Sequence, residues 1–302
     1  MFYRCSVSFI ETASFLLFVL AARSTFKNSR QKAGELVSAF VYGLLLEELD
    51  IYFFRTYHYG PCFFLQIGSA PLAIAFLWSL ILTSSMAISD RLGLPEYAKP
   101  FADGLLALLI DIGVDAIAIR IGYWTWTIPL SEGWFGVPAG NLYAWMWVAF
   151  SYSAATRLVR WMGRKDPGRY AYQVLVPFAA YLLLFIEIIC IGLLSLKFGL
   201  KNESQRLWIF YGHVAVFTIA AGLGFLRRNR QATGKKVPAI LLCSRLFIHL
   251  YFLAALAATK IVFHEPLLAA VAVAAFLADS ALCLRKTPVG FAGGQIPRNA
   301  KR

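Results

Sequence analysis

Ionisable side chains interrupt several long apolar stretches of this chain: Glu47, Glu48 and Asp50 in one, Asp111 and Asp115 in another, and Glu187, Arg245 and Asp279 in three more. A charged group is expensive in an apolar surround, so each of these positions points to chemistry or to pairing. At the helical rotation of about 100° per residue, Phe40, Gly43, Glu47, Asp50, Phe54 and His58 share one side, with Glu48, Tyr52, Arg55 and Tyr59 beside them. Asp111 and Asp115 lie one turn apart in a stripe of small residues, Gly104, Ala107, Ala118 and Gly122. Small residues let helices approach closely, so these two helices are expected to face each other and to gather up to four acids around one buried pocket. Crowded carboxyl groups without a cation nearby cannot all be ionised, which leaves at least one as a donor of a proton. Glu187, Arg245 and Asp279 are each expected to serve structure, with Arg245 snorkelling from the start of its stretch to the cytoplasmic surface.

The connections that follow the acids are rich in aromatics: Tyr57, His58, Tyr59, Gly60 and Pro61 after the first, Tyr123, Trp124, Trp126, Trp134 and Phe135 after the second. An interfacial belt accounts for Trp and Tyr at this depth. It does not account for their falling on the same helices and the same side as the acids. Ring faces attract cations, so an acid beside aromatic walls suits protonation of an olefin to a carbocation in a site poor in water. Two other readings use the same groups. Carboxylates with His58 could ligate iron or manganese, but no second histidine lies near them and no metal is expected. A transporter or lipid-binding protein could use the acids as ligands, although the interrupted spans and repeat symmetry of many transporters are absent.

The elements that must position these residues are membrane spans. With 59% of 302 residues hydrophobic, 15% charged and a mean hydropathy of +0.64, the chain is no ordinary soluble domain. Uncharged runs place spans near 6–22, 34–56, 69–89, 102–121, 139–160, 171–197, 207–226, 237–259 and 266–284, an all-α bundle of about nine transmembrane helices. Eight remain if the first, which ends in Val19-Leu20-Ala21, is a cleaved signal peptide. The charge of +13 is not a nucleic-acid footprint, because the cations lie between apolar runs and not on one soluble face. Most of the 29 Lys and Arg fall in alternate connections, including Arg23 to Lys32, Arg157 to Arg169 and Arg227 to Lys236. The positive-inside rule then puts the N-terminus outside and the C-terminus in the cytoplasm. One transmembrane domain is expected over 1–285, with a basic, disordered tail over 286–302. Five cysteines form no Cys-x-x-Cys pair, although Cys5 and Cys62 share the outer side. No Gly-rich nucleotide loop appears, and no cofactor is expected.

The double-Asp helix leading into Gly122-Tyr123-Trp124-Thr125-Trp126, then Trp134-Phe135-Gly136-Val137-Pro138, Asn141 and Trp145, resembles the carotenoid biosynthesis proteins of the CruF type. Upstream, Glu47 and Tyr57-His58-Tyr59-Gly60-Pro61 resemble that family's acidic helix and aromatic loop. The resemblance covers roughly 36–155. It implies an integral membrane hydratase that adds water to a terminal double bond of a linear C40 or C50 carotenoid, a lyase whose partner is a lipophilic isoprenoid. Glu47-Glu48 before Tyr52-Phe53-Phe54 also resembles the acidic motif of small membrane lycopene cyclases, so a cyclase using the same carbocation is the alternative. Resemblance and pocket together nominate Asp111 or Asp115 as proton donor, with Glu47 as its partner. Glu48 and Asp50 belong to the acidic set, and His58 or Tyr57 would hold water. Tyr57, Tyr59, Tyr123, Trp124, Trp126, Trp134, Phe135 and Asn141 would line the substrate site.

Overall fold

Helix boundaries follow the punctuation of the sequence. Ser29 separates α1 (Phe2–Asn28) from α2 (Arg30–Phe53) and caps the latter, its hydroxyl accepting from Lys32 N–H at 3.3 Å. Pro71 precedes α3 (Leu72–Arg91), Pro100 stands in the first turn of α4 (Lys99–Arg120), and Pro138 precedes α5 (Ala139–Lys165). A 3-10 stretch, Pro167–Leu175, leads into α6 (Val176–Lys197). Then follow α7 (Glu203–Leu226), α8 (Ala239–Ala258), the single turn α9 (Ile261–His264) and α10 (Pro266–Leu284). This computed structural model describes residues 2–229 and 236–284, with side chains from Ser6 onward. The tail over 286–302 and the Cys5 side chain therefore lie outside the described residues, and Cys62 carries a free thiol.

Among the described residues nine helices have 19 residues or more. Six are long and apolar enough to cross a membrane: α1, α3, α6 with its 3-10 lead, α7, α8 and α10. They leave large apolar side chains such as Phe178, Leu196, Trp208 and Leu267 on the outside, as a lipid solvent requires. The chain is thus an all-α integral membrane bundle. The three other long helices, α2, α4 and α5, are interrupted by charged and polar residues and together carry the cavity acids and much of the buried polar surface. α1 is a full member of the bundle, since it packs on α2 and α3 and buries Val7, Ile10 and Ala21.

Two expectations about packing change. The helices α2 and α4 meet through α3 and α5, each of which packs against both. Their small residues serve other neighbours: Gly43 lies under Trp78 of α3, Gly104 under Phe217 of α7 and the Met146 carbonyl, and Gly113 against Ala272 of α10. Nor does Arg245 snorkel. It is fully buried, its guanidinium paired with Asp279 at 2.8–3.1 Å and bonded to Ser84, Ser85 and the Leu106 carbonyl. A partner on α10 and three acceptors on α3 and α4 make burial cheaper than a reach to the surface.

The two ends of the bundle differ. At one, Asp90 gathers Arg157 (2.6 Å), Arg160 (2.9 Å) and Lys99 (3.1 Å), while Glu35 takes Arg160 and Asp103 takes Arg157. At the other, β1 (Tyr57–Tyr59) pairs antiparallel with β4 (Trp124–Trp126), and β2 (Gln66–Ile67) with β3 (Ala70–Pro71). Gly122, at φ +81°, supplies the left-handed turn that ends α4 and starts the chain towards β4.

Candidate functional site: an acid cavity under an aromatic ribbon

Successive residues of a strand point to opposite faces. In the β1–β4 ribbon, Tyr57 opposes Trp126 and Tyr59 opposes Trp124, and these four side chains turn inward while His58 and Thr125 face out. The ribbon thus lowers four aromatic rings with polar atoms onto the ends of α2 and α4. Tyr57 and Tyr59 donate to Glu47 Oε2 at 2.6 and 2.5 Å. The indole N–H groups of Trp124 and Trp126 donate to Asp115 Oδ1, the latter at 3.3 Å.

Two further donors complete these shells. Trp78 Nε1 of α3 reaches Glu47 Oε1 at 2.7 Å. Asn141, in the first turn of α5, spans both aspartates, its Nδ2 lying 2.5 Å from Asp115 Oδ2 and 3.2 Å from Asp111 Oδ2. Glu47 and Asp115 therefore accept three hydrogen bonds each, and each bond to an ionised carboxylate is worth about 1.5–3 kcal/mol. Asp111 differs. It is 1% exposed, and its Oδ1 is buried with no hydrogen-bond partner among the described residues.

Glu47, Asp50, Asp111 and Asp115 all line one cavity of about 450 Å³ beneath the ribbon. Its walls include Trp78 and Trp145, whose rings lie 4.1 Å apart, together with Phe63, Tyr123 and Phe252. Asp50 sits at the edge, 3.4 Å from the Tyr181 hydroxyl. Burial first, and then the Glu47 carboxylate, hold the Tyr57 and Tyr59 phenols well above the usual tyrosine range, so both stay protonated as donors.

Other nominated residues are placed elsewhere. His58 is exposed on the outer face of the ribbon because strand alternation turns it away. Glu48 points into the neighbouring turn, accepting from Ala70 N–H at 2.6 Å beside Gly68. Trp134 donates to the Ile112 carbonyl at 2.9 Å and packs on Phe210. Phe135, at φ +49°, offers its carbonyl to Arg120. Tyr123 lines the cavity, its hydroxyl bonded to that of Tyr251. The sequence reading missed Trp78, Tyr181 and Phe252. Each is an aromatic inside an apolar run, indistinguishable there from ordinary core.

An apolar bundle enclosing a buried acidic pocket with aromatic walls, closed by a two-stranded ribbon, is a membrane protein built for a lipophilic molecule. The chain belongs to the carotenoid biosynthesis protein family, whose model matches residues 7–202, and its role lies in carotenoid biosynthesis. The match reaches beyond the stretch legible in the sequence, taking in α1 and α6, and it stops before α7. No curated protein and no solved structure matches the chain.

Proposed function

We propose that this protein hydrates a terminal carbon–carbon double bond of an acyclic carotenoid, and that Asp111 gives the proton. The observation that carries this reading is the uneven sharing of donors among the carboxyl groups. Three donors suit an ionised carboxylate, whereas a carboxyl with a single long contact and one bare oxygen suits the protonated form, which has a hydrogen of its own to give. Asp111 is the carboxyl of that kind whose bare oxygen is buried, and it faces a cavity walled by aromatic rings, where a bound olefin would accept the proton.

The reaction then balances as follows. Asp111 transfers its proton to the less substituted carbon of the terminal double bond, and the pair of electrons of that bond forms the new C–H bond. The tertiary cation left on the neighbouring carbon lies among the rings of Trp124, Trp126, Tyr57 and Tyr59, whose faces stabilise positive charge. The carboxylates of Asp115 and Glu47 offset it further. Water adds through its oxygen, and the proton it sheds returns to the aspartate pair, so one water is consumed overall. A cavity of this volume takes one end of a long polyene and leaves the remainder in the bilayer.

The end of the bundle opposite the ribbon holds Lys27, Arg30, Arg91, Lys99, Arg160, Arg164 and Lys165. By the positive-inside rule that end is cytoplasmic, and the cavity opens in the outer half of the membrane. Expression in a host that makes acyclic carotenoids tests the activity: a product heavier by about 18 Da, one water, supports hydration, and an unchanged mass with altered retention makes the protein a cyclase through the same cation. Unaltered pigment, with solute uptake that depends on a proton gradient, would make the acids transport ligands.

A further inference from the structure

A second polar cluster lies behind the cavity wall, where α5, α6 and α7 meet. Glu187 of α6 has both carboxyl oxygens buried, and among the described residues neither has a hydrogen-bond partner. Across from it on α7, His213 Nε2 lies 3.8 Å from Glu187 Oε1, too far for a direct hydrogen bond. The other ring nitrogen, Nδ1, is 2.8 Å from the Ile209 carbonyl. A carbonyl only accepts, so Nδ1 carries the hydrogen and Nε2 of the neutral ring presents a lone pair. From α5, Trp147 lies edge-on to His213 at 6.0 Å, and its indole N–H is buried and also unpartnered. One turn earlier on the same face, Tyr143 stacks on His213 at 5.4 Å and lines the cavity, as does Ile188 beside Glu187.

The cluster therefore offers the carboxyl oxygens of Glu187 and His213 Nε2 as acceptors, with the Trp147 N–H as a donor on the neighbouring ring. Water can give two hydrogens and receive on its lone pairs, so one molecule can bridge groups of both kinds. A separation of 3.8 Å between polar atoms is within the reach of one bridging water, and such a site, polar and largely closed, is where buried water is retained.

We propose that Glu187, His213 and Trp147 hold a water molecule behind Tyr143 and supply the cavity with the water that captures the cation. The proposal rests on the hydration reading and extends it: proton transfer belongs to Asp111, and water supply to a separate set of positioning residues on α5, α6 and α7.

The test separates the two half-reactions. Purified protein is given an acyclic carotenoid in D2O, and the deuterium in recovered substrate reports protonation and its reversal, while the hydrated product reports capture. For Glu187→Gln, which keeps side-chain volume, and for His213→Phe and Trp147→Phe, which keep an aromatic ring, deuterium uptake should not fall below the wild-type level. Hydrated product should fall about tenfold, the equivalent of one lost hydrogen bond, with thermal unfolding in detergent unchanged. Unaltered hydration in all three, or a parallel fall in both readouts, overturns the supply role. Absence of both deuterium uptake and hydrated product with the wild-type protein overturns the hydration reading itself, and that arm involves none of these variants.

Discussion

Asp111 and Glu47 look alike in the sequence, as carboxyls in apolar helices, and the structure gives them opposite surroundings. Asp111→Asn removes the transferable proton and keeps the contact with Asn141, so the rate should fall on the order of 10²-fold or more with stability unchanged or raised. Glu47→Gln instead keeps one acceptor oxygen, and with that oxygen on Tyr57 and Tyr59 its NH2 is turned towards the Trp78 N–H. It should lose activity and also destabilise the fold by about 1–3 kcal/mol. Product formation and thermal unfolding measured on the same purified variants check both. If Asp111→Asn stays active, another group gives the proton. The acids themselves were legible because residue type and helical spacing suffice to find them. Their donors were not, since Trp78 sits on a separate helix and Asn141 reaches the aspartates only through the packing of α5 on α4.

The β1–β4 ribbon is the element that turns aromatic loops into a site. Its pattern, Tyr57-His58-Tyr59 facing Trp124-Thr125-Trp126, is an alternation visible in the sequence, but strand pairing across 66 intervening positions is not. For that reason His58, which sits among the right neighbours in sequence, ends on the wrong face. The ribbon also has a pH signature. The folded protein keeps the Tyr57 and Tyr59 protons, which the unfolded chain releases above about pH 10. Their contribution is present below that pH and is lost as pH rises through it. A Tyr57→Phe/Tyr59→Phe protein should accordingly lose less thermal stability than wild type when scanned through that range.

A second element-scale test concerns α8 and α10. The sequence marked Arg245 and Asp279 as buried ionisable groups without showing that they meet. Arg245→Met leaves the buried Asp279 with His249 alone, 3.2 Å away, and should destabilise by about 3–5 kcal/mol, whereas Arg245→Met with Asp279→Leu should recover most of that loss in a double-mutant cycle. Equal losses in single and double variants would remove the pairing from the account.

For the whole molecule, long uncharged runs were enough to locate each long helix within a few residues, including the three that are too polar to score as spans. Which helix packs on which was beyond reach, and the stripe of small residues on α4 shows why: small residues announce a close neighbour without naming it. α7 and α8, beyond the family match, prove to be walls of the cavity through Arg206, Ile248 and Phe252. Overall orientation rests on the cations at one end of the bundle. Reporter fusions after Leu284 and at Gly133 should fall on opposite sides of the membrane, with the former cytoplasmic, and two reporters on one side would break the topology.

The central claim is that Asp111, a buried carboxyl with one long donor contact, starts the chemistry in the aromatic cavity. Mass analysis of pigments from a host making acyclic carotenoids, expressing either the wild-type chain or Asp111→Asn at equal membrane abundance, tests it most directly. The account predicts a product heavier by about 18 Da, one added water, from the wild type and almost none from Asp111→Asn. Equal yields of that product from both proteins would contradict it.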